Sequence, residues 1–153
     1  MIFTPENTLP HRPPMLLVDR ITAYDLADQT IETAIDITPD SLFYDPQAGG
    51  VPSYAALEYM AQSVGCFAGI YDLTQEPPQP PKAGFVLGTR RFTAARGFLP
   101  PGTYTIKAKA LFFDEESASF DITLYDVRKQ LVCHAALNAY RPKDLTRFKE
   151  EHA

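Results

Sequence analysis

The chain has 153 residues, 45% of them hydrophobic and 22% charged, a length and balance that fit one folded domain with a real core and exclude a disordered chain. Its formal net charge of −5 excludes a broad nucleic-acid surface, which needs a basic field, and leaves any acidic partner to a local basic cluster. Cys66 and Cys133 form no CxxC pair and sit in apolar segments, so both are expected buried and reduced. His11, His134 and His152 lack metal-ligand spacing, and no metal is expected. The opening stretch has no basic region followed by an apolar one, which makes a cytoplasmic protein the expectation.

Leu9-Pro-His-Arg-Pro-Pro-Met15 is punctuated by prolines and excludes regular helix. The apolar run Met15–Asp19 reads as a short strand. Thr30–Ile37 alternates, with Ile31, Thr33, Ile35 and Ile37 on one face, and predicts a half-buried strand. Phe85–Phe92 predicts another strand after the proline-rich linker Gln75–Pro81, and Leu99-Pro-Pro-Gly102 predicts a turn. Tyr104–Phe112 places Tyr104, Ile106, Ala108, Ala110 and Phe112 on one face. Ala118–Tyr125 and Leu131–Tyr140 alternate in the same way, and these neighbours are expected to pair antiparallel. Residues 141–153 read as a charged tail to a single domain spanning residues 1–153.

One segment breaks this pattern. Residues 53–71 follow Pro52, contain no proline and are rich in Ala, Leu and Met, which predicts a helix of roughly four to five turns, with Ser53 as N-cap. It is apolar nearly all round and is therefore expected to be buried. Its small residues admit close backbone approach, and Glu58 and Gln62 make it a poor membrane span. One buried helix inside a curved antiparallel sheet gives an α+β class.

Glu58 and Gln62 lie four apart, on one face, and are the strongly polar residues of that helix. An unpaired carboxylate in apolar surroundings tends to hold its proton, which suits donation to a leaving group. The competing reading pairs Glu58 with an arginine from the sheet or from a dimer partner and gives it no chemistry. Upstream, Gly49 and Gly50 either bring bare backbone N–H groups to a thioester carbonyl or simply form a tight turn. Lys82, Arg90, Arg91 and Arg96 form the densest basic region. They are either a solvated edge or a docking patch for an acidic carrier or a phosphopantetheine phosphate.

Three stretches taken together resemble the hot-dog-fold 3-hydroxyacyl-acyl carrier protein dehydratases. Residues 9–20, LPHRPPMLLVDR, resemble that family's LPHRxPxLLVDR opening. Residues 51–62, VPSYAALEYMAQ, resemble its PG-x4-5-E-x-MAQ helix start, and residues 84–92 with the 99–102 turn resemble its strand and PG turn. The resemblance spans about residues 9–140 and implies a hot-dog fold with the helix at its centre. It also implies a substrate carried on phosphopantetheine with no further cofactor. In that family a histidine from one subunit removes the α-proton, and a Glu or Asp on the other subunit's helix protonates the leaving hydroxyl.

Glu58 matches the helix carboxylate. The histidine does not carry over, because the family's GHFPGxPxxPG stretch is here Phe43-Tyr-Asp-Pro-Gln-Ala-Gly-Gly-Val-Pro-Ser53. An ungapped reading puts Tyr44 at the histidine position, and a one-residue shift puts Asp45 there. Tyrosine near pKa 10 is a poor base at neutral pH, whereas histidine near 6.5 suits the task. Asp45 is a candidate base if desolvated, and His11 is another if the fold brings it to the pocket. This histidine-poor pattern most resembles the dehydratase-like proteins of aryl-polyene clusters, where such a chain is expected beside a fully equipped dehydratase subunit.

Two readings follow: a dehydratase acting on polyene or fatty acyl thioesters, or a non-catalytic partner of an active hot-dog subunit. A hot-dog thioesterase ranks behind both, since the LPHR opening favours dehydratases. Glu58, Asp45 and His11 are the catalytic candidates, and Tyr44, Gly49, Gly50 and Gln62 the substrate-binding ones. The expected partners are an acyl carrier protein or acyl thioester and a second hot-dog chain, in a homodimer or heterodimer.

Overall fold

The computed structural model describes residues 2–81, 85–114 and 116–140, with the side chains of residues 85–87 left aside. The expected tail, residues 141–153, and Lys82 lie outside the described residues. In chain order, the elements are α1 (Pro5–Thr8), β1 (Arg20–Asp25), β2 (Thr30–Ile37), β3 (Val51–Pro52) and a 3-10 turn (Ser53–Ala55). They continue with α2 (Ala56–Leu73), β4 (Phe85–Ala94), β5 (Phe98–Leu99), β6 (Gly102–Phe113), β7 (Ser117–Tyr125) and β8 (Leu131–Tyr140).

Six strands form one antiparallel sheet in the order β1-β2-β6-β7-β8-β4, while β3 and β5 make a separate small pair. The alternation predicted for β2 holds: Ile31, Thr33, Ile35 and Ile37 are all buried. They meet Ile106, Ala108, Phe120, Ile122, Leu124, Ala135 and Leu137 from the neighbouring strands, and this face packs on α2 through Met60, Phe67 and Ile70. Thr33 Oγ1 and Ser63 Oγ lie 2.8 Å apart in that interface, and Ser63 Oγ also donates to the Tyr59 carbonyl. This polar pair between helix and sheet is thus satisfied, as burial requires.

Four expectations need correction. Met15–Asp19 is not strand, because Met15 and Leu17 bond through their backbone to the side chain of Gln62 on α2, the first bond to the sheet comes only at Asp19, whose N–H donates to the Ala34 carbonyl, and β1 begins at Arg20. Ser53 does not cap the helix. The chain enters through the 3-10 turn, and no side chain caps α2. In β6 the inward set does not reach Phe112. A bulge between Ala110 and Phe112 inserts one residue, so Phe112 is 47% exposed and Phe113 turns toward the core instead. Finally, α2 is not covered all round, for Glu58 is exposed in the single chain, and Leu57, Ala61, Gly65 and Ala68 are only half-buried.

The N-terminal segment crosses α2. Thr4 caps α1 reciprocally with Asn7, and Pro5 opens it, a start signal present in the sequence. The segment fits because α2 offers two glycines. A Cβ added at Gly65 would come within 2.7 Å of Leu9 Cδ2, and one at Gly69 would overlap the Thr8 carbonyl oxygen. We call residues 4–19 the strap. Gly69→Ala should push the strap off the helix and lower unfolding free energy by about 1–3 kcal/mol, the usual range for overpacking. Gly97→Ala, which meets open space, should stay within about 0.5 kcal/mol in the same urea titration.

Candidate active site

Strap, helix and sheet enclose an apolar cavity of about 220 Å³. Leu9, Pro10 and His11 form the strap wall, and Glu58, Ala61, Gln62, Val64, Gly65 and Ala68 form the helix wall. Phe113, Ala118, Leu137 and Ala139 close it from the sheet, with Asp114, Glu116 and Ser117 at the β6–β7 turn. Phe113 is held edge-on against Phe67, Tyr71 and Phe120, with ring centroids 5.0–6.2 Å apart. This makes the sheet end of the cavity rigid.

Glu58 comes from the first full turn of α2 and Gln62 from the next, so the helical repeat places both on the cavity side. No ion pair engages Glu58 among the described residues, so no arginine of its own sheet pairs with it there. Gln62 is 6% exposed, and both of its amide atoms are engaged: its Oε1 accepts from the Leu17 N–H at 2.8 Å, and its Nε2 donates to the Met15 carbonyl at 2.7 Å. It lines the cavity, and its amide holds the strap through one donor and one acceptor. His11 follows from the same clamp. Arg12 reinforces it by donating to the Leu9 and His11 carbonyls. His11 Nδ1 is buried with no hydrogen-bond partner.

The loop ahead of the helix does not reach this cavity within the single chain. Asp45 closes the loop on itself: its Oδ1 accepts from the Gln47 and Ala48 N–H groups, and its backbone bridges Gly50. The site reading of Asp45 therefore has no support in the chain alone, because its carboxylate is used in the turn. Gly49 adopts φ 71° there, and Gly50 sits where a Cβ would lie 2.6 Å from the Leu99 carbonyl oxygen. The turn reading of both glycines thus accounts for them. Tyr44 packs half-buried against the core. Its neighbour Phe43 holds φ 76°, an uncommon conformation for a bulky residue, at the position where the ungapped reading puts the family's glycine.

The basic residues do not gather into one free patch. Arg96 pairs with Asp126 at 2.8 Å, and Arg90 donates to Ser119 Oγ at 3.1 Å, leaving Arg91 exposed on β4. What the sequence missed is the sheet side of the cavity. Its signal was the small residues Ala118 and Ala139, which lie opposite each other in the register of β7 and β8. No cluster of three or more His, Cys, Asp or Glu suited to a metal occurs among the described residues. No helix among them is long and apolar enough to cross a membrane.

The family model of ApeP-like dehydratases (ApeP dehydratase) matches residues 3–150. This chain belongs to the ApeP-like dehydratase family. Among its relatives is the 3-hydroxyacyl-[acyl-carrier-protein] dehydratase FabZ of Chlamydia trachomatis, 32% identical over 107 residues that cover 68% of each chain. The bifunctional enzyme LpxC/FabZ of Chlorobaculum tepidum is 31% identical over 88% of this chain, which spans only 28% of that protein. In structure, the chain is similar to the dehydratase heterocomplex ApeI:P from Xenorhabdus doucetiae, with a TM-score of 0.86 and 24% identity, covering 98% of this chain and 97% of the other. These matches bear out the hot-dog fold and the dehydratase family that the LPHR and helix motifs imply.

Cys66 and Cys133 are free and buried, and burial pushes their thiols up to about 12 and about 11. At pH 8 an aromatic disulfide reagent should therefore label neither in the native protein and both in 6 M urea. Gln62→Leu should cost about 2–4 kcal/mol in urea unfolding, since it strands the Met15 and Leu17 backbone groups.

Proposed function

We propose that this chain takes part in the dehydration of 3-hydroxyacyl thioesters carried on the phosphopantetheine arm of an acyl carrier protein, with Glu58 as the acid. The observation that carries this reading is the placement of Glu58, the one carboxylate on the motif helix facing an apolar cavity, beside space for an acyl chain. The elimination removes a proton from C2 and protonates the hydroxyl on C3, which leaves as water while the C2=C3 bond forms. The C3–O bond breaks as water leaves, with no net oxidation or reduction, so the step needs no redox group beyond the carrier-bound substrate. A carboxylic acid held at an apolar wall suits the second half of that exchange.

We further propose that the working unit is a pair of hot-dog chains, in the manner of the ApeI:P heterocomplex. Strand β4 is an edge strand on which Gly88, Thr89, Arg90 and Arg91 stand exposed, and an open edge favours a second chain. Around the helix start, Leu42, Phe43, Tyr54 and Phe98 expose apolar surface, which a partner would cover. Arg91, with Arg90, Arg96 and Lys82 on the same stretch of chain, is the proposed contact for an acidic carrier. A cytoplasmic setting belongs to the same proposal, and two unpaired buried thiols support it.

The second reading, a non-catalytic subunit, draws its support from Tyr44 at the family's histidine position. A 3-hydroxyacyl-carrier substrate given to the chain with its co-purifying hot-dog subunit separates the two. Glu58→Gln should lower the rate of enoyl product by roughly 10²–10³, the usual worth of a positioned acid. An unchanged rate would assign the chemistry wholly to the partner. Acyl-thioester hydrolysis without enoyl product would instead establish the thioesterase.

A further inference from the structure

We infer that Phe113 is the stop of the acyl subsite, the residue that sets the longest chain the cavity accepts. The inference rests on the dehydratase reading above and adds to it the side chain that selects among substrates. Its first support is position. Glu58 lines the cavity from the first full turn of α2, and Ala61, Gly65 and Ala68 carry the helix wall away from it. Phe113 meets the rings of Phe67 and Tyr71 at 5.3 and 5.0 Å between centroids. Those residues follow Glu58 by nine and thirteen positions, about 14–20 Å down the helix axis at 1.5 Å of rise per residue. The ring thus stands at the end of the cavity remote from the acid.

The second support is what surrounds the ring. Phe113 pairs with Ala118 across β6 and β7, and Ala118 with Ala139 across β7 and β8. All three line the cavity, so the bulkiest side chain of the lining shares its row of the sheet with two methyl groups. The turn that follows adds Asp114, Glu116 and Ser117 to the lining, and Asp114 Oδ1 accepts from the N–H groups of the other two. Apolar surface on β6 therefore ends with this ring, and an acyl tail gains nothing from the polar turn beyond it.

The third support is rigidity. Phe67 and Phe120 are each 1% exposed, and together with Tyr71 they hold Phe113 edge-on from three sides. A ring caged in this way swings aside only if buried neighbours move, which the close packing of a core resists. The fourth is the backbone that delivers it. Strict alternation along β6 from Tyr104 would turn Phe112 inward and Phe113 outward, and the bulge between Ala110 and Phe112 reverses the two. Bulges beside functional sites re-aim side chains in this manner. Each methylene that enters an apolar cavity strengthens binding about fourfold. Once the tail touches a fixed ring, a further carbon overpacks the site and the gain reverses.

The test uses the full chain with its co-purifying hot-dog subunit and carrier substrates running from 3-hydroxyhexanoyl to 3-hydroxyhexadecanoyl. For the wild type, kcat/KM should rise about fourfold per added carbon, reach a limit inside the series and then fall. Phe113→Ala should move that limit up by about two to four carbons, the length of chain that fits where the ring stood. Phe112→Ala, on the outer face, should leave the limit at its wild-type length. Ala68→Leu, which fills the cavity at the same level of the helix, should move it down, and it answers if Phe113→Ala fails to fold. A limit unmoved by these two cavity variants, beside an inactive Glu58→Gln, would overturn the inference and leave the dehydratase reading standing. A rate lowered equally at every length would make Phe113 a packing residue, and a wild-type profile with no limit would leave it nothing to set; either overturns the inference. An active Glu58→Gln would overturn the reading, and the inference with it.

Discussion

The site depends on a single side-chain amide. Gln62 is buried in α2, accepts from one residue of the strap and donates to another two positions earlier, and so converts an irregular segment into a fixed wall. Two hydrogen bonds inside a half-apolar setting hold more firmly than the same bonds in water, because no solvent competes for them. Without that clamp, Leu9, Pro10 and His11 would not line a cavity with Glu58. The glycines beneath the strap complete the arrangement, since any larger side chain at Gly65 or Gly69 would meet Leu9 or Thr8.

The helix itself is a compromise between burial and access. Met60, Phe67 and Ile70 anchor one side to the sheet, and the Thr33–Ser63 pair fixes its rotation. The opposite stripe, with Ala61, Gly65 and Ala68, stays small and half-covered, and that leaves the cavity open. Glu58 on this stripe lines the cavity and stays exposed to solvent in the single chain.

The loop of residues 43–50 shows how a family position can change its work. Asp45 and the two glycines close a tight turn against Leu99, and Phe43 keeps the left-handed backbone where the related pattern has glycine. The loop retains the path into the helix while its side chains serve the turn and the core.

Much of this was legible before any coordinates. The period of two in β2, β7 and β8 and the proline-free, Ala-rich helix follow from local sequence, because alternation and helical repeat are written in neighbouring residues. Glu58 was legible as well, as a charge in an apolar helix. The strap was not: Met15–Leu17 looks like strand, and only the side chain of Gln62, 45–47 residues away, turns its backbone from sheet to helix. The bulge that exchanges Phe112 for Phe113, and the placement of His11 and Glu58 along one cavity, are likewise decided by contacts distant in sequence. Periodicity reports which face a residue shares with its neighbours. Which faces then enclose a common space is a property of packing, and packing exists only in the folded chain.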